Sequence, residues 1–166
     1  MTLSDDKITE LFCQVDTFCA HFHNALAPHL LGNPPKKKPK LCVSEVITLM
    51  ILFHHSGYRT MKGFYMEYVK VHMQHLFPNT VSYNRYVELM AAANLPLAMF
   101  VKTCCMGCST GISFMDSTPL RVCKNKRISR NKVFKGVAAL GKSTIGYFFG
   151  FKLHLVVNDK GELLNF

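Results

Sequence analysis

Acidic residues are missing from a long stretch of this chain. Between Ser117 and Asn158 there is no carboxylate, while nine cations fall there: Arg121, Lys124, Lys126, Arg127, Arg130, Lys132, Lys135, Lys142 and Lys152. No apolar run reaches the roughly 18 residues of a membrane helix, and the longest, Val46 to Phe53, is interrupted by Thr48. The N-terminus, Met1 to Asp6, is acidic and has no apolar stretch of the signal-peptide kind. Cysteines number seven, an odd count in a chain without an export signal, so reduced thiols are expected rather than a disulfide framework. Tryptophan is absent, which excludes no class of function. No internal repeat is present. A soluble, cytoplasmic, basic protein is predicted, with neither a membrane nor a small molecule as partner.

What remains is enough for a core. Of 166 residues 49% are hydrophobic and 18% charged, with a mean hydropathy of +0.12, which excludes a disordered chain. The formal charge is +10, unevenly spread. Residues 1–115 hold ten basic and seven acidic side chains, whereas residues 116–166 hold ten basic and three acidic. Such a one-sided stretch is read either as a polyanion site, with nucleic acid the natural ligand, or as a solvated loop. Lys36 to Lys40, held extended by Pro34, Pro35 and Pro39, belongs to a linker spanning Gly32 to Lys40.

The first two-thirds reads as helices. From Ser4, a plain N-cap, Ile8, Leu11, Phe12, Val15, Phe18, Cys19 and Phe22 follow a helical stripe, with Asp5 and Asp6 in the first turn. Ser44 opens a second helix, apolar nearly all round and therefore central, ending near Gly57. Thr60 begins a third, stopped by Pro78; Ser82 caps a fourth, Tyr83 to Ala93; Pro96 starts a fifth, to about Cys105. The third and fourth are read either as a plain helical hairpin or as a helix-turn-helix with Tyr83, Asn84 and Arg85 leading the recognition helix.

The period changes at Gly111. Ile112 to Asp116 reads as a short strand ending in a carboxylate. Tyr147 to Val157 is a longer one, with Phe149, Phe151, Leu153, Leu155 and Val157 on one face and Lys152 and His154 on the other. Asn158 to Gly161 is a turn, and Glu162 to Phe166 begins a return strand. A sheet of two or three strands without a covering layer predicts a domain that continues past Phe166.

Asp116 is the residue with chemical character. A strand-end carboxylate either ligates a hard cation such as Mg²⁺ or caps the following turn. Two-metal phosphoryl transfer needs further carboxylates. The downstream acids, Asp159 and Glu162, are expected roughly 20–30 Å away at the far hairpin tip. Cys105 and Cys108 form a C-x-x-C without a matching second pair, so a zinc site with Cys104 and Cys123 competes with buried free thiols. Gly136 to Ser143 matches the P-loop string formally, but no buried strand precedes it and a strand, rather than a helix, follows.

The run Gly111 to Leu120, then Phe134 to Ala138, then Gly141 to Leu155, resembles bacterial insertion-sequence transposases of the DDE class, as does Ser82 to Leu89. The resemblance implies an α+β chain: an N-terminal all-helical, DNA-binding region over 1–110, and the first strands of an incomplete ribonuclease-H-like fold over 111–166. It makes Asp116 the first catalytic carboxylate and a Mg²⁺ ligand, and gives Lys152 and His154 phosphate-contacting roles. DNA at element ends is the implied partner; the charge pattern and the helix-turn-helix reading make the cations of 121–152 and Arg85 its expected contacts. An intact transposase, or a C-terminal part carrying the second Asp and the Glu, is the implied protein partner. The chain is therefore expected to bind DNA and to be catalytically silent alone. The rival expectation is a non-catalytic DNA-binding regulator of an intact transposase.

Overall fold

The computed structural model describes residues 3–26 and 39–166. The expected linker, up to Lys38, lies outside the described residues. The chain divides into two compact units, Met1–Val101 and Lys102–Phe166.

The first unit is helical. Helix α1 (Asp5–Leu26) carries Asp5 and Asp6 in its first turn and buries Ile8 and Val15. Helix α2 (Val43–His55) is central as expected, burying Val46, Ile47, Thr48, Leu49 and Leu52. Its cap is Cys42 rather than Ser44. The Cys42 thiol accepts the backbone N–H of Glu45, and the Glu45 carboxylate accepts the N–H of Cys42 at 2.7 Å. Ser44 is thereby free to donate its hydroxyl to Asp16 of α1 at 2.5 Å.

Thr60 caps the next helical segment through the N–H of Gly63. That segment runs as α3 (Met61–Gly63), a π-helical stretch Phe64–Val69, and α4 (Lys70–His72). The wide turn buries Phe64, Tyr65 and Val69 together. Helix stops at His72, well short of Pro78, because Leu76 and Phe77 both donate to the carbonyl of Met73. This turn draws Met73 and Phe77 into the core.

Helix α5 (Tyr83–Cys104) runs unbroken through Pro96, where two helices were expected. Proline removes one hydrogen bond, the one to Ala92, and the Ala91 to Ala93 run is as helix-favouring as sequence allows. By length and composition α5 could cross a membrane; in this fold Tyr86, Ala93 and Phe100 along it are buried. The rings of Tyr65 and Tyr86 stack 4.2 Å apart and 7° from parallel, both fully buried.

The second unit is an antiparallel sheet. Strand β1 (Ser113–Cys123) pairs with β3 (Gly146–Asn158), which also pairs with β2 (Ala139–Ser143) and β4 (Leu163–Asn165). Gly150 faces both Arg121 and Ala139, and Val156 faces both Met115 and Asn165. Strand β3 is therefore central, with β1 on one side and β2 and β4 at opposite ends of the other. Strand β1 does not end at Asp116 as expected but continues to Cys123, because β3 offers Phe149 to His154 as partners for Ser117 to Cys123. Pro119 is tolerated there because β1 is an edge strand. A bulge at Val122 lets the ladder skip a residue. Gly150 is required at its position: a Cβ would run into the carbonyl oxygen of Leu120.

The expected turn after Asn158 forms. The Asn158 side chain is buried, accepts the N–H groups of Lys160 and Glu162, and donates to Cys108 O at 3.1 Å. Within this unit Phe148 is the one buried apolar side chain among the described residues. The fold class is α+β, as expected.

Candidate functional site

Alternation along β1 and β3 sorts the sheet's side chains. Phe114, Asp116, Thr118 and Leu120 face Val157, Leu155, Leu153 and Phe151 across the ladder, and residues directly opposite share a face. Asp116 therefore lies on the half-exposed apolar face. Lys152 and His154 pair with Pro119 and Ser117 and lie on the opposite face. Both are exposed, and the sheet itself separates them from Asp116.

Asp116 is exposed, and its Oδ1 accepts the N–H of Ser117 at 2.7 Å. It holds its own next residue in place, but as a mid-strand side chain rather than a turn cap. Asp159 and Glu162 lie much nearer than expected. Asp116 pairs with Leu155 and the turn starts after Asn158, so at about 3.4 Å per residue it begins roughly 10–14 Å along the strand, not roughly 20–30 Å. The longer estimate took Asp116 as the end of its strand. Both acids have partners: Asp159 accepts from the Thr110 hydroxyl, and Glu162 accepts from the Asn158 amide at 2.6 Å.

Among the described residues no three His, Cys, Asp or Glu side chains are grouped to hold a metal ion. Asp116 can supply one oxygen ligand to a hard cation. The described residues do not build a Mg²⁺ site around it. Cys104, Cys105 and Cys108 are exposed and Cys123 is half-buried, all as free thiols, so the expectation of buried packing cysteines fails for the first three. They sit at the last turn of α5 and in the segment that follows it, where the Cys108 carbonyl accepts from Asn158 and the N–H of Gly107 donates to Leu163 O.

The basic loop takes a definite course. Lys126, Arg127 and Arg130 are exposed on a 3-10 helix, Asn125–Arg130. Lys132 and Lys135 flank Phe134, whose N–H is held by the Asn131 side chain. The Phe134 ring meets Phe151 edge-on at 5.7 Å, which brings this turn onto the Asp116 face at its Leu120 end. Lys142 faces Tyr147 across the β2–β3 hairpin, its Nζ 5.8 Å from the ring centroid.

Arg121 and Lys124 line an open cavity of about 540 Å³ with Cys123, Asn125 and Tyr147. Asn125 donates to the Tyr147 carbonyl at 3.0 Å. Sequence reasoning passed over Tyr147 and Asn125; an exposed aromatic next to a cation across a two-residue turn was the available signal. In the helical unit, Arg85 is exposed and paired with Glu88 at 2.6 Å, Asn84 is exposed, and Tyr83 is half-buried with its ring 6.2 Å from Tyr65.

Residues 106–166 match the family model described as transposase DDE domain. The resemblance read from Gly111 to Leu155 falls within that match. No curated protein and no solved structure matches the chain.

Proposed function

We propose that this chain is the DNA-binding, metal-incomplete portion of a DDE transposase acting on an insertion sequence. The observation that carries the reading is Asp116 on an open sheet face that receives a carboxylate-free basic loop at its Leu120 end, inside the segment that matches the transposase family. Strands β1, β3 and β4 are antiparallel neighbours with an aspartate on β1, and we read them as the opening of a ribonuclease-H-like sheet. The cations from Arg121 to Lys152 supply phosphate contacts. Asp116 contributes one ligand for Mg²⁺, and the other carboxylates come from outside these residues, from a C-terminal part or an intact transposase. Alone, the chain occupies DNA and leaves it uncut.

The test is a titration of duplex DNA carrying the element's ends over a range of salt, with plasmid nicking measured in Mg²⁺. Binding that falls steeply with salt and an uncut plasmid are expected. Mg²⁺-dependent nicking that disappears in Asp116→Asn would overturn the claim of silence, and salt-independent or absent binding would overturn the DNA reading.

A further inference from the structure

The cavity at the β2–β3 end of the sheet combines two features that phosphate binding alone does not call for. The first is an exposed aromatic ring: Tyr147 is 62% exposed although it sits in a regular strand. The second is that the strand carrying this ring is held. The Tyr147 backbone carbonyl accepts from the Asn125 amide at 3.0 Å, the residue pairs with Lys142 across the hairpin, and Ser143 closes the turn by donating to Gly146 O at 3.1 Å. Around it stand Lys142 at 5.8 Å and, across the opening of about 540 Å³, the exposed cations Arg121 and Lys124. An opening of that size admits a base and its sugar-phosphate. No carboxylate lies between Ser117 and Asn158 to repel one.

An exposed aromatic face among cations, on a strand held in place, is the arrangement that holds unpaired nucleotides, since every base has a π-face and every linkage a negative charge. A paired base hides that face within the stack. We infer that Tyr147 is a stacking platform for a single-stranded DNA segment, whose flanking phosphates are held by Arg121 and Lys124. The inference rests on the DNA-binding reading above and adds a distinction between strand states. Duplex is held by the wider basic loop, and the unpaired strand by this cavity.

Fluorescence anisotropy of the whole chain with a labelled oligodeoxythymidine of about 12 nucleotides, against a duplex of equal length, tests it. Tyr147→Ala is expected to weaken single-strand binding about tenfold and duplex binding less than about twofold, while Tyr147→Phe retains both. Circular dichroism checks that substitution at the exposed site has not disturbed the fold. An alanine variant that binds single strands as tightly as the parent overturns the inference, as does one that loses duplex binding equally. A parent chain that binds duplex but not single strands sinks this inference alone. One that binds neither sinks the DNA reading with it.

Discussion

Asp116 faces Leu155 across the β1–β3 ladder, so the carboxylate shares its sheet face with Leu153 and Val157 and is turned away from Lys152 and His154. The residues that suggested nucleic-acid chemistry thus lie on different sides of one sheet. Phosphates on the Lys152 and His154 face cannot be the ones that approach Asp116. Cations that can share its face come instead from the turn anchored by Phe134 on Phe151.

Asp116→Asn follows directly. The side chain is exposed, bonds only to the adjacent N–H within the structure described, and asparagine keeps that acceptor. Folding stability is expected to change by no more than about 0.5 kcal/mol. Duplex affinity is expected to hold or rise, since a negative charge leaves a basic surface. Urea denaturation and a mobility shift measure the two; a marked fall in affinity would show that the carboxylate already organises a DNA contact.

The Tyr65 hydroxyl gives a larger effect. It donates to the carbonyl of Val81 at 2.9 Å and accepts its N–H at 3.0 Å, fastening the approach to α5 onto the π-helical stretch. Tyr65→Phe keeps the stacking on Tyr86 but leaves both Val81 groups unpaired. A loss of about 1–3 kcal/mol in urea denaturation is expected. A neutral outcome would mean water reaches Val81 in the folded protein.

How much of this was legible in the sequence varied with the kind of signal. The helical stripe of α1, the all-round apolar α2 and the alternation of β3 were readable because each reports burial with a fixed period. The length of β1 was not, because Ser117 to Cys123 mixes polar and apolar residues, contains a proline and becomes strand only through its partner. Pro96 misled for the opposite reason: a local breaker was overridden by the helix formers around it. Asp116 stood out as a carboxylate after an apolar run, but its face and its distance to Asp159 depend on register, which only pairing fixes. Tyr147 and Asn125 are far apart in sequence, and the loop that joins them carries no periodicity.

Cys19 links pH to stability in the helical unit. Partial burial, then the Asp16 charge, then Cys42 push its thiol up to about 11 from 9.0. The folded state therefore favours the neutral thiol. Its contribution is fully present below the unfolded value near 9 and is lost as pH rises through about 11. Cys19→Ala is expected to show a shallower alkaline fall in Tm over that window under reducing conditions. Parallel curves for the two proteins would place the alkaline sensitivity elsewhere.

The exposed cations of the 3-10 helix make the last prediction, one that separates phosphate binding from mere net charge. Lys126, Arg127 and Arg130 project from a short element carrying no acidic side chain. If each neutralises a duplex phosphate, each releases condensed counterions, and the slope of log affinity against log salt measures how many do so. Replacing all three with alanine is expected to flatten that slope by about 0.9 for each phosphate no longer neutralised, roughly 3 in all. Lys7, Lys62 and Lys70, on the helical unit, serve as a charge-matched control, and their replacement is expected to leave the slope nearly unchanged. Equal flattening by both triple variants would mean that the protein's overall positive field, rather than this loop, holds the DNA.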